Sequence, residues 1–163
     1  MAKTVANLGE KRDIHLFDSF HGIPHLGPKD EPFAGIEHDG LDEQLVTTGV
    51  SACSREDVAR NIARWGAAAD NLIYHEGWFQ DTVPPSDTGP IALLRLDGDL
   101  YESTRICLEY LYLKVTSGGF VIIDDYNLTG CRLATEDYRE ANAILAEMHT
   151  VPGGEGAVWW RKD

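Results

Sequence analysis

The chain has 163 residues, 43% of them apolar, 25% charged, with a formal charge of −13, which suits one domain with a sizeable core. That charge excludes a phosphate-backbone binder, which needs a cationic face, so no nucleic-acid partner is expected. The apolar runs are far shorter than the roughly 20 residues that cross a bilayer, and no membrane partner is expected either.

The segment before Asp13 has no apolar h-region, and Cys53, Cys107 and Cys131 are odd in number with no CxxC. A cytoplasmic protein with reduced thiols follows. Taken in chain order, "DIHLFD" (13–18) reads as a strand. Residues 21–50 are rich in Gly, Pro, Asp and His, too long for a simple connector, and read as a loop or lid facing a substrate. Within it His21, His25 and His38 have no helical metal-ligand spacing and read as surface or lid residues. Ser54 reads as a helix N-cap with Asp57 three residues on, and Gly66 as the stop. "NLIYHEG" (71–77) and "IALLRLD" (91–97) are the next strands.

From Tyr101 a helix is expected with Thr104, Leu108, Leu111 and Val115 on one stripe, ended by Gly118 and Gly119. "GFVIIDD" (119–125) is the fourth strand. A helix over 135–148 follows, with Tyr138, Ala141 and Leu145 on its stripe and Glu136 and Asp137 at its positive end. "MHTVP" (148–152) and "GAVWWRKD" (156–163) read as a hairpin turned by "GGEG". Alternating strands and helices predict an α/β fold, a mostly parallel, Rossmann-like sheet with a C-terminal hairpin, in a single domain over 1–163.

The strand ends carry the chemistry. In parallel α/β sheets ligands bind at the carboxyl ends of the strands. Here those ends carry Asp18, Glu76, Asp97, and Asp124 with Asp125. Clustered carboxylates repel, and a hard divalent cation such as Mg²⁺ relieves that repulsion. Asp97, Asp124 and Asp125 are therefore the candidate metal ligands. The plain alternative for any one acid is a helix cap or turn former, and Asp99 is read first as the cap of the helix at Tyr101. Asp18 is suited to accept hydrogen bonds from both hydroxyls of a ribose. "GWFQD" (77–81) offers an aromatic pair beside an amide and an acid, fit either to bracket an adenine or simply to pack in the core.

"LFDSFHGIP", "YHEGWFQDTVP", "LLRLDGDLYEST" and "GGFVIIDDYN", in this order, resemble the macrocin O-methyltransferase family. The resemblance implies a class I methyltransferase sheet and an S-adenosylmethionine- and Mg²⁺-dependent transfer to a sugar hydroxyl in antibiotic biosynthesis. It implies donor contacts from Asp18, Ser19 and Phe20, an adenine pocket from Gly77, Trp78, Phe79 and Gln80, and Mg²⁺ on Asp97, Asp124 and Asp125. Asp97 is the expected proton acceptor, with Asp99 as the other candidate. The family's first strand, which the resemblance places centrally between the strands ending at Asp18 and Asp97, and its glycine-rich turn have no counterpart before Asp13, so a member shortened at its N-terminus is expected, with an open central sheet edge that favours self-association. The competing reading is a methyltransferase-like remnant serving as a binding or assembly module. A metal-dependent hydrolase fits the carboxylates but not "GWFQD".

Overall fold

The computed structural model describes residues 2–36, 47–67, 71–154 and 156–163. A short helix α1 (Ala2–Asn7), which the sequence did not suggest, precedes β1 (Ile14–Asp18). The long segment that follows is tied to itself by a bridge between Pro24 and Thr47; residues 37–46, including His38, lie outside the described residues. Then come α2 (Arg55–Arg64), β2 (Leu72–Glu76), α3 (Phe79–Thr82), β3 (Ile91–Leu96) and α4 (Tyr101–Leu111). The chain ends with β4 (Val115–Ile123), α5 (Thr129–Ala141), β5 (His149–Thr150) and β6 (Val158–Arg161). Ser54 does cap α2: its Oγ accepts from the Asp57 N–H at 3.2 Å and its hydroxyl donates to Asp57 Oδ2 at 2.7 Å.

The strands fall into two sheets. β1 and β2 pair in parallel, Ile14 opposite Leu72 through Asp18 opposite Glu76. The second sheet has the order β3-β4-β6-β5. Its β3–β4 pair is parallel, while β6 runs antiparallel to β4 and to β5, which is the expected C-terminal hairpin. β1 and β3 do not pair. They face each other across a cleft of about 1060 Å³, lined along its length by residues of both.

One face of the second sheet makes the core. Leu94, Leu96, Val121, Ile123, Val158 and Trp160 point to one side, where α4 and α5 bring Cys107, Leu108, Leu111 and Cys131 against them. Burying each such aliphatic or aromatic side chain contributes about 1.5–3 kcal/mol. The opposite face carries Leu93 and Phe120, 38% and 40% exposed, as the period of two along a strand requires.

Two helices, α4 and α5, differ in their bounds from the sequence expectation. The first helix stops at Leu111, a 3₁₀ turn covers Tyr112–Lys114, and Val115 already belongs to β4. Gly118 and Gly119 therefore lie inside a strand and end no helix. They allow an irregularity in the β3–β4 register, where Ile91 pairs with Val115 but Leu93 with Phe120. A Cβ on Gly119 would stand 3.1 Å from the Ala92 carbonyl. The second helix begins at Thr129 and ends at Ala141, with Ala143 in the left-handed region at φ 50°. Its buried stripe is Cys131, Ala134 and Thr135, and Leu145 is 90% exposed. Glu136 and Asp137 sit in mid-helix. Asp137 accepts from Lys29 Nζ at 3.0 Å and the Tyr101 hydroxyl at 2.8 Å, while Glu136 accepts from the Tyr126 hydroxyl at 2.8 Å. Among the described residues no helix is long and apolar enough to cross a membrane.

Candidate active site

β3 and β4 are parallel neighbours, so their carboxyl ends stop side by side. The ladder runs one bond further, from the Asp124 N–H to the Leu96 carbonyl at 2.9 Å. This sets Asp97 beside Asp124 and Asp125. One carboxylate oxygen from each lies within 4.8 Å of the others, a spacing that one oxygen-preferring divalent ion can span.

The electrostatics fit that donor set. Burial, then the like charge of neighbouring acids, pushes the Asp125 carboxyl up to about 7. Burial, then Asp97 and Asp124, raises Asp99 to about 6. Repulsion of this kind is what a bound cation removes. The Arg95 guanidinium supplies some compensation. It donates from Nη1 to Asp97 Oδ2 at 2.7 Å and from Nη2 to Asp124 Oδ2 at 2.6 Å.

Asp99 is not the helix cap. Its backbone is left-handed, at φ 54°, and its N–H reaches Asp125 Oδ2 at 3.4 Å. The N-cap position of α4 is Leu100, which has no side-chain cap to give. The cap comes from the long segment. Asp30 Oδ1 accepts from the Tyr101 N–H at 2.8 Å, and its Oδ2 accepts from the Gly27 N–H at 2.8 Å. Asp30 is buried, and a Cβ on Gly130 would overlap its Oδ1. Neither Asp30 nor Arg95 is among the residues expected at the site from the sequence. Arg95 had a signal: a lone charge in the apolar run "IALLRL", two residues from Asp97 and so on the same strand face. Asp30 had none, since its partner is far along the chain.

Two cavities border the acids. The cleft between β1 and β3 carries Asp97 at one end, with Asp18, Phe20 and Phe79. A second cavity of about 480 Å³ carries Asp99, Asp124, Asp125 and Asn127, and its walls include Ile23, Phe33 and Val50 from the long segment. Of the other expected donor-binding residues, Ser19 is buried in a turn. Its Oγ accepts from the His21 N–H at 3.1 Å and its hydroxyl donates to the Gly22 carbonyl at 3.1 Å. Gly77 donates its N–H to the Asp18 carbonyl at 3.0 Å, continuing the β1–β2 ladder. Trp78 precedes α3 and Gln80 lies within it. Gly77, Trp78 and Gln80 do not line the cleft. Asp18 itself is exposed at the end of β1, with Oδ1 accepting from the Phe20 N–H at 2.7 Å.

The architecture is an α/β methyltransferase fold. It superposes on the structure of the O-methyltransferase NovP with a TM-score of 0.82 and 34% identity, over 99% of this chain and 65% of that one. It shares the fold of CalS11, a calicheamicin methyltransferase, at a TM-score of 0.67 and 23% identity, over 92% of this chain and 60% of that one. The chain belongs to the macrocin-O-methyltransferase (TylF) family, whose model matches residues 1–162. It is similar to the 8-demethyl-8-(2,3-dimethoxy-alpha-L-rhamnosyl)-tetracenomycin-C 4'-O-methyltransferase of Streptomyces olivaceus, 40% identical over 92% of this chain and 55% of that protein. It is likewise similar to the demethyldecarbamoylnovobiocin O-methyltransferase of Streptomyces niveus, 38% identical over 92% of this chain and 55% of that protein. The chain thus spans about half the length of the curated relatives it matches.

Proposed function

We propose that the protein transfers the methyl group of S-adenosylmethionine to a hydroxyl of a small molecule, a sugar of a natural product, with Mg²⁺ at the acid cluster. The observation that carries this reading is the convergence of Asp97, Asp124 and Asp125 within 4.8 Å, with Asp97 lining one cavity and Asp124 and Asp125 another. Family membership and the named activities of the relatives support it.

In this reading the cleft beside β1 takes the donor. Asp18 accepts the ribose hydroxyls, and Phe20 and Phe79 flank the adenine side. Ser19 holds the turn that follows Asp18, while Gly77, Trp78 and Gln80 lead into and build the short helix that carries Phe79. The second cavity takes the acceptor, with Phe33 and Ile23 as apolar walls for a sugar-bearing scaffold. Asp97, Asp124 and Asp125 would hold Mg²⁺, which supplies the Lewis acidity that lowers the pKa of an acceptor hydroxyl. The transferring centres then need only close, aligned approach. Asp97 and Asp99 are the two candidate proton acceptors. Asp99 lines the acceptor cavity and Asp97 the donor cleft, which favours Asp99 for the proton and Asp97 for the metal.

The test is a methyl-transfer assay by mass spectrometry, with S-adenosylmethionine and a rhamnosylated aromatic acceptor. Transfer that stops with a chelator and returns with Mg²⁺ is expected, together with its loss in Asp97→Asn/Asp124→Asn. Transfer indifferent to the chelator, or no transfer to any sugar-bearing acceptor, defeats the proposal.

A further inference from the structure

Arg95 stands in an unusual relation to the acid cluster. It lies on β3 two residues before Asp97, on the sheet face opposite the core. A half-exposed strand arginine is ordinarily free to reach solvent. This one spends both arms of its fork on two candidate metal ligands from different strands, 2.7 Å to Asp97 Oδ2 and 2.6 Å to Asp124 Oδ2. Those oxygens belong to carboxylates that a divalent ion would also need. A guanidinium and a metal ion cannot both be satisfied by the same lone pairs, and their charges repel.

We propose that Arg95 is a resident counter-cation of the metal site: it bridges Asp97 and Asp124 in the metal-free protein, and a divalent ion binds by displacing it from at least one of them. The proposal rests on the reading of Asp97, Asp124 and Asp125 as a Mg²⁺ site. It gives Arg95 two effects of opposite sign. Arg95 stabilises the metal-free fold, because it neutralises carboxylates that would otherwise face one another. It also weakens apparent metal affinity, because the binding-competent arrangement is only the fraction in which the fork has let go. Lysine at this position keeps the charge but is a point donor that cannot bridge two carboxylates at once.

The experiment is calorimetric titration with Mg²⁺, paired with melting curves of the metal-free protein, for wild type, Arg95→Met and Arg95→Lys. Arg95→Met is expected to bind Mg²⁺ on the order of tenfold more tightly than wild type and to melt lower without metal. Arg95→Lys falls between them in affinity, and serves if the methionine variant folds poorly. Were Arg95 purely structural, its replacement would lower the melting temperature without tightening Mg²⁺ binding. Equal or weaker binding by both variants, with wild type still binding, overturns the role of Arg95 and leaves the metal site standing. If neither wild type nor variants bind Mg²⁺, the metal reading fails and this proposal with it.

Discussion

Asp99 and Asp125 are carboxyls whose protonation is raised by burial and by their acidic neighbours, to about 6 and about 7 against an ordinary 3.8. In the metal-free protein the folded state therefore holds more protons than the unfolded chain between those values. Stability must fall as pH rises through that window and level off above it. Melting curves of metal-free protein from about pH 4 to about pH 8 should show this decline, and Asp125→Asn should flatten it. A wild-type profile no steeper than that of Asp125→Asn would contradict the assignment. The cysteines give an independent check on the core. Burial raises the Cys107 and Cys131 thiols to about 12, while Cys53 is exposed. Since the thiolate is the reactive form, an aromatic disulfide reagent should modify only Cys53 in the native protein and all three in denaturant. Fast native modification of Cys131 would mean that α5 does not pack as described.

At the level of elements, the long segment after β1 reaches α4 through one buried carboxylate, beside the Lys29–Asp137 and Thr129–Glu31 contacts with α5. Asp30 caps α4 through the Tyr101 N–H and closes its own turn through the Gly27 N–H. Asp30→Ala should cost about 1–2 kcal/mol, as the loss of an N-cap does, read by urea denaturation. Gly130→Ala should cost a similar amount because its Cβ would overlap the Asp30 carboxylate, and the cost should shrink in an Asp30→Ala background. Strict additivity would show that the two residues do not press on each other. This cap explains why the sequence misassigned Asp99. An acid two residues before Tyr101 is the local candidate, and a non-local one leaves no trace in a window. The α5 boundary was hidden for a related reason. Its N-cap, Leu128, offers no capping side chain, while Glu136 and Asp137 imitate a first turn although they serve Tyr126, Lys29 and Tyr101. The strand ends were legible because parallel strands advertise themselves as unbroken apolar runs, and two such runs that each end in acid point to one shared edge.

For the whole molecule, the alternation of strands and helices was enough to give the α/β class, but not the division into two sheets. The division lies where the family resemblance leaves a strand out, between the strands ending at Asp18 and Asp97: β1 and β3 line the two sides of one cleft without pairing. The same cleft brings Asp18 and Asp97 into one cavity, and the long segment encloses the other side of the acids. The chain spans about half the length of its curated relatives, yet the acid cluster is assembled from β3 and β4 alone. The central claim is that this cluster holds a divalent cation. It is tested most directly by soaking crystals with Mn²⁺, a stand-in for Mg²⁺, and measuring anomalous scattering. A single peak coordinated by Asp97, Asp124 and Asp125, with Arg95 drawn away from at least one of them, is the predicted result. No peak there, or Mn²⁺ bound only elsewhere, would contradict it.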